Sequence, residues 1–498
     1  MPIILYLIIL PILTSLIILF IPERNQKIIK FSAITTASIM MLVCMFIFAT
    51  SSDYGAFIHI EGYSNTEQTQ YLKLNQIIGS NFLNEIFILG FDNLSILFVS
   101  LTSALILICF IVSFNTITTK IKRYYICLLM LQALIIGAFT AIDLFLFYFF
   151  FEASLIPIFI LILGWGSENR GFAALKLFLY TFAGSVLLLI AIIFIFKYVG
   201  ATNILNLVKE IQFLDYKVQL YLCIAMLIAF AIKIPMWPVH TWLPDAHVQA
   251  PTAGSMILAG ILIKLGAYAM IRFCLTLFPQ IMKDIAPIIF TLSIIAIIYA
   301  SLVAMAQDNI KKMIAYSSIA HMGYVTIGIF SNSTIGITGS IFQMISHGLI
   351  SAGLFFAVGI LYERFHTKQI SELGGIVHVM PRFSLIFVFL TMASIGLPAT
   401  SGFIGEFLVL MSIYMHNKFL ALFAGLGIVL GAVYMLSLVK NVIYGEFKAK
   451  ITDVKDLTYL ELLAFLPLVA LIIILGIYPI VITSKIEPVV TIINNIVR

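Results

Sequence analysis

Six ionisable residues stand inside long apolar runs of this 498-residue sequence. Glu152 lies in LFLFYFFFEASLIPIFI, Lys233 in IAFAIKIPMWP and Lys264 in LAGILIKLGAY. His321 lies in AYSSIAHMGYV, His347 in IFQMISHGLIS and Glu406 in LPATSGFIGEFLVL. The chemistry these types share is proton exchange. Imidazole titrates near neutrality and can pass a proton between its two nitrogens. A carboxylate beside an amine in a low-dielectric site sets how firmly the amine holds its proton, so moving or wetting either partner loads or unloads it. A file of Glu, Lys, Lys, His and Glu at one depth would move protons laterally, not through a single vertical pore.

Such residues are costly where they stand. A charge at the centre of a membrane-spanning helix costs about 2.5 to 3.5 kcal/mol even on the lenient insertion scale, so six of them need a reason. A hydrated polar axis is one. The blander readings are a structural ion pair between Glu152 and Lys233 and neutral histidines that hydrogen-bond across helices. Lys264 has no carboxylate within a turn of it in sequence, which favours the axis. His240, Asp245 and His247 lie near a span end, where capping competes with proton traffic; His240 marks the candidate uptake side. Arg272, late in its span, is expected to snorkel to the interface.

The elements that must hold these residues follow from composition. The chain is 62% hydrophobic and 10% charged, against about 25% charged in soluble domains, so it cannot cover its own surface in water. Nucleic-acid binding, disorder and a disulfide scaffold are excluded by the same numbers. Cys44, Cys109, Cys127, Cys223 and Cys274 all lie in apolar runs without a C-x-x-C pair and read as core fillers. Continuous apolar runs indicate helices, not a barrel. With about 20 residues per crossing, polar or Pro/Gly breaks divide the chain into about fourteen spans. Asp143 splits the long run 124–165, and the last span is placed at 459–483. The first span lacks a charged leader and reads as a retained helix.

Proline marks two of these spans. Pro235 follows Lys233 by two residues, and Pro398 precedes Glu406 in the same span. Proline frees a carbonyl and breaks the helix, and broken helices beside ionisable residues are typical of transporter midplane sites. Breaks at spans seven and twelve suggest an internal repeat, 122–278 for spans four to eight and 285–441 for spans nine to thirteen, within a single membrane domain that begins with spans one to three at 1–117 and a polar loop at 51–92. Lys and Arg crowd the loops after odd-numbered spans, such as Lys120, Lys122, Arg123, Lys311, Lys312 and Arg364. Odd loops therefore face the cytoplasm or matrix and both termini the opposite side. No G-x-G-x-x-G, G-x-x-x-x-G-K-[ST], G-x-S-x-G or H-E-x-x-H occurs, and glycines 425, 427 and 431 read as helix-packing positions.

Four segments carry a family likeness. KIPMWPVHTWLPDAHVQAPTAGSMILAGILIKLG (233–266), FYFFFEASLIPIFILILGWG (147–166), DNIKKMIAYSSIAHMGYVTIG (308–328) and LPATSGFIGEFLVL (397–410) resemble the antiporter-like membrane subunits of respiratory complex I, over nearly the whole chain. A glutamate at the Glu406 position resembles the branch called M in bacteria and subunit 4 in mitochondria. The resemblance implies an all-α fold of fourteen helices with two inverted five-helix repeats, and proton translocation driven by NADH oxidation and quinone reduction elsewhere in the complex. It implies an input ion pair at Glu152 and Lys233, a central lysine at Lys264, axis positions at His321 and His347, and an output residue at Glu406. Gln132 stands where some relatives have glutamate, so an acid role there is lost or moved.

The same likeness implies no cofactor and no metal in this chain, with FMN, iron–sulfur clusters and quinone in other subunits. Expected partners are the L/subunit 5 and N/subunit 2 types, a lateral helix from the L/subunit 5 type, and lipids; this chain has no such long lateral helix of its own. Ile-, Asn-, Lys- and Phe-rich usage favours the mitochondrial inner membrane, with both termini on the intermembrane-space side; a bacterial plasma membrane is the alternative. A multisubunit sodium/proton antiporter and a scaffold that no longer pumps are the competing functions.

Overall fold

The computed structural model describes residues 3–50, 71–73, 88–448 and 454–497. Asp53, Glu61, Glu67 and Glu85 of the polar loop 51–92 lie outside the described residues, as does Lys450. Among the described residues, thirteen helices are long and apolar enough to cross a membrane. Span three is Asn93–Thr116, four Ile121–Thr140, five Leu144–Trp165, six Arg170–Val199 and eight Thr252–Leu277. Spans nine, ten, eleven, thirteen and fourteen are Pro279–Met305, Ile310–Phe330, Thr334–Phe365, Lys418–Val442 and Tyr459–Ile477. The shorter helices Pro381–Ile395 and Ser401–His416 together make span twelve, which brings the crossings to the expected fourteen.

Span seven is broken as Pro235 required. Its first part, Tyr216–Lys233, ends on Lys233 itself, and Trp242–Gln249 resumes the helix. The carbonyls freed at the break find donors within the protein: Met236 N donates to Ala231 O at 2.9 Å, and the Trp242 indole donates to Ile232 O at 2.9 Å. Span twelve breaks at Gly396, whose φ of 85° lies in the left-handed region that favours glycine. The chain passes Pro398 and re-enters helix at Ser401, five residues before Glu406. In each span an ionisable residue lies close to the break: Lys233 ends one helix segment, and Glu406 stands in the second turn of the other.

Span eight departs from regular α-helix without any proline. Leu258–Leu262 and Met270–Cys274 are π-helical turns on either side of Lys264. A π turn widens the helix and leaves carbonyls out of the regular ladder. The most apolar stretches of spans eight and eleven are wholly buried, so the most protected helices of the fold carry Lys264 and His347. Outer spans turn apolar residues such as Phe20, Phe172 and Leu422 outward, as a lipid-facing surface requires.

Two expectations are corrected. Span fourteen ends at Ile477, not 483, because Pro479 interrupts it; a separate helix, Ile480–Val497, packs back on spans three and eleven. Lys485 Nζ on that helix donates to Phe48 O at 2.6 Å. Arg272 does not reach an interface. It is 1% exposed and donates through Nη2 to Asp92 Oδ1 at 2.7 Å. Asp92 also caps span three by accepting from Ser95 N, so one carboxylate holds the even-side ends of spans three and eight together. An unpaired guanidinium at that depth would be expensive, and a partner from a distant loop removed the need to snorkel.

Candidate functional site

Lys264 is fully buried at the middle of span eight. Its Nζ donates to the carbonyl of Ala259, inside the first π turn, and lies 2.7 Å from His347 Nδ1. An ammonium has donors only, so Nδ1 accepts from it and the ring proton of a neutral His347 resides on Nε2. The His347 ring lies 5.5 Å from that of His321, centroid to centroid, with the planes at 51°. His321 Nδ1 donates to Glu406 Oε1 at 2.6 Å. Spans eight, eleven, ten and twelve thus contribute one residue each to a continuous polar file.

Glu406 is held in place by a further donor. Gln343 Nε2 donates to Oε1 at 3.0 Å, and Ser394 Oγ lies 3.4 Å from the other nitrogen of His321. Span twelve reaches Gln343 because Gly405 has no side chain: a Cβ there would meet Gln343 Cα at 2.7 Å. The sequence reading missed Gln343, although it lies four residues before His347 and hence on the same helix face. Ser394 and the Ala259 carbonyl left no local signal.

The pair that the likeness implies at Glu152 and Lys233 is not hydrogen-bonded. Lys233 Nζ is buried with no hydrogen-bond partner and lies 4.6 Å from the centroid of the Phe151 ring, a cation–π contact. Glu152 is half-buried, borders Ser185, and leaves Oε2 without a partner. The two charges still act on each other. Glu152 and Lys233 therefore stand as an open pair. Phe230 on span seven packs edge-on to Phe147 and Phe151 of span five, and Phe273 on span eight is tilted against Phe147, an apolar setting in which a shift of either charge is strongly felt.

The remaining expected residues fall elsewhere. His240 lies between the rings of Tyr299 and Tyr316, at 5.7 and 6.4 Å, with neither ring nitrogen hydrogen-bonded. Pro235 and Pro398 sit at the two breaks. Gln132 is buried with both amide atoms unpartnered. The five cysteines are free and buried, as core fillers should be. At the even-side turn, Asp143 caps span five and accepts from Thr202 Oγ1 at 2.5 Å; burial pushes its carboxyl up to about 6, against the opposing pull of its three donors.

A family described as NADH:quinone oxidoreductase/Mrp antiporter matches residues 141–431, which include every residue of the polar file. NADH-quinone oxidoreductase subunit M of Rickettsia prowazekii is 50% identical over 485 residues, covering 96% of both chains. NADH-ubiquinone oxidoreductase chain 4 of Marchantia polymorpha is 44% identical over 475 residues, 95% of this chain and 93% of that one. Among solved structures, a chain of respiratory complex I from Thermus thermophilus with bound NADH superposes with a TM-score of 0.86 at 26% identity, covering 99% and 100% of the two chains. A chain of the Mrp complex from Dietzia sp. shares the fold, with a TM-score of 0.86 at 18% identity over 100% and 99%.

Proposed function

The chain belongs to the NADH:quinone oxidoreductase/Mrp antiporter family, and from that premise we propose that it moves protons sideways along its buried polar file. It is a membrane-arm subunit of a proton-translocating NADH:quinone oxidoreductase, respiratory complex I. Lys264, His347, His321 and Glu406 are the relay. A proton given to His347 leaves through the next imidazole to Glu406, and Lys264 reloads His347. Each imidazole takes up one proton and releases one, so the file returns to its starting state. Glu152 and Lys233 set the charge at the input end: closing the pair draws positive charge away from Lys264, and opening it pushes positive charge toward the file.

The observation that carries this reading is the file from Lys264 to Glu406, in which contacts of 2.7 Å (Lys264–His347) and 2.6 Å (His321–Glu406) flank two imidazole rings whose centroids are 5.5 Å apart. The two repeats, 122–278 and 285–441, divide the work between input and output. Electrons pass through FMN, iron–sulfur clusters and quinone in other subunits, and this chain holds no redox centre. Its neighbours are the L/subunit 5 and N/subunit 2 types, a lateral helix of the former, and lipids. Protons enter from the odd-loop side and leave from the even-loop side, where both termini lie, and the chain resides in the mitochondrial inner membrane. Sodium/proton exchange is the weaker reading, since the Mrp neighbour supports the fold alone.

Alanine in place of Lys233 or Glu406 tests the proposal in sealed vesicles that carry the assembled complex. Both are expected to lose NADH-driven proton pumping together with quinone-linked turnover. Full pumping in both variants would leave the chain a scaffold.

A further inference from the structure

Span twelve reaches both nitrogens of one imidazole. Its second segment, Ser401–His416, brings Glu406 Oε1 to 2.6 Å from His321 Nδ1. Its first segment, Pro381–Ile395, brings Ser394 Oγ to 3.4 Å from Nε2 of the same ring. Ser394 and Glu406 are twelve residues apart. In a continuous helix that separation rises about 18 Å, far more than a five-membered ring can bridge. Only the break lets one helix hold the ring from both sides.

The fold-back at the break is closely packed. A Cβ on Gly396, where the first segment ends, would stand 3.7 Å from Glu406 Oε2, so the turn itself lies against the carboxylate. Gly402 sits on the end of the first segment, where a Cβ would collide with Ala393 O. Ser346 Oγ donates to Ser401 Oγ at 2.8 Å and ties the start of the second segment to the residue beside His347. Ala399, in the link, is held at φ 70°, which a residue with a Cβ adopts only where its surroundings impose it. Span fourteen is part of those surroundings, since a Cβ on Gly476 would collide with Ala399 O.

With Nδ1–H donated to Glu406, a neutral His321 carries its lone pair on Nε2, the nitrogen that takes a proton in the relay. A hydroxyl suits that nitrogen in both states: it donates to Nε2 of the neutral ring and, after rotation, accepts from Nε2–H of the charged ring. A backbone carbonyl would suit the charged ring alone. At 3.4 Å the contact is long for a hydrogen bond, so it orients the ring without sealing Nε2 against the proton from His347.

We propose that Ser394 is a positioning residue for His321, and that the break of span twelve serves to grip this ring at opposite nitrogens with two segments of one helix. The proposal rests on the relay described above and names what keeps its second imidazole in register. When Nε2 takes a proton from His347, one N–H bond breaks and one forms, and no electron moves. The Ser394 hydroxyl turns from donor to acceptor and keeps its own proton.

The test uses the assembled complex in sealed vesicles, with NADH-driven pumping and quinone-linked turnover scaled to NADH oxidation by an artificial electron acceptor. Ser394→Ala removes the hydroxyl with little change of volume, while Ser394→Thr and Ser394→Val share a shape and differ in the hydroxyl. Ser394→Ala and Ser394→Val are expected to pump severalfold more slowly than the parent, and Ser394→Thr to recover most of the loss. A packing role alone would give the reverse order, with alanine milder than the larger threonine. Parent-level pumping by assembled Ser394→Ala overturns the proposal; if that variant does not assemble, equal pumping by Ser394→Thr and Ser394→Val overturns it. His321→Phe separates the two readings. Pumping lost there but intact in Ser394→Ala sinks the grip alone, whereas pumping intact in His321→Phe sinks the relay itself.

Discussion

Lys264 Nζ lies 2.7 Å from His347 Nδ1, so two residues 83 positions apart on spans eight and eleven form one buried hydrogen-bonded unit. Neither belongs to a local motif that names the other. The widened helix around Lys264 and the Ala259 carbonyl hold the amine at the near end of the file.

His347 should therefore be replaceable in shape but not in chemistry. His347→Gln keeps an acceptor for Lys264 and loses the ability to take a proton on one side and release it on the other. We expect the complex to assemble and pumping to fall roughly a hundredfold, the lower range for loss of a proton-transferring group. Pumping at the parent rate in this variant would make the histidine a tether only.

The Arg272–Asp92 pair is expected to act through stability. Its side chains are 1% and 0% exposed, and removing one partner strands the other charge. Arg272→Met should cost about 3 to 5 kcal/mol. Adding Asp92→Leu should recover most of that loss but leave about 1 kcal/mol, because Asp92 also caps span three. Thermal inactivation of the purified complex checks both; a double variant weaker than Arg272→Met would rule out the stranded-charge account.

Asp143 gives a pH dependence whose sign is fixed by its environment. Burial raises its carboxyl from 3.8 to about 6, so the folded chain holds this proton more tightly than the unfolded one. Stability from that proton is fully present below about pH 4 and is lost as pH rises to about 6, a span worth about 3 kcal/mol at most. Asp143→Asn keeps Oδ1 as the acceptor for Phe145 and Leu146, turns the other oxygen into an amide that donates to Thr202 Oγ1, and should flatten the dependence in that window. An unchanged profile of thermal stability between pH 4 and 6 would show that Asp143 is not its source.

Two glycines of span thirteen should behave oppositely. A Cβ at Gly427 would collide with Ile297 Cγ2 and stand 2.5 Å from Tyr324 Oη, whereas one at Gly425 meets nothing within 4 Å. Gly427→Ala should destabilise by about 1 to 3 kcal/mol through overpacking, and Gly425→Ala should be neutral or better, since alanine favours helix. Equal thermal stability of the two variants would refute the close packing of spans nine, ten and thirteen.

Much of the candidate site is legible in the sequence. Glu152, Lys233, Lys264, His321, His347 and Glu406 stand out because an ionisable side chain in an apolar run is costly and so conspicuous. Pro235 and Pro398 announced the broken spans because proline removes a backbone donor wherever it stands. The π turns beside Lys264 were not legible, since LAGILIKLGAY contains no proline and its glycines, Gly260 and Gly266, read as readily as close-packing positions in a regular span. Arg272 was misread for the same reason: its position late in a span suggested an interface, while the carboxylate that neutralises it lies 180 residues away.

Taken alone, the amino-acid order determined the solvent this chain requires, the fourteen crossings, the two interruptions and the identity of the costly side chains, because hydropathy and proline geometry act over a single helix. Only the tertiary structure decided which of those side chains meet. It joined Lys264 to Glu406 through two imidazoles, left Lys233 against an aromatic ring, and stacked the buried His247 on Phe355. Those pairings depend on how helices distant in sequence pack against one another, and packing is a property of surfaces that no single segment carries.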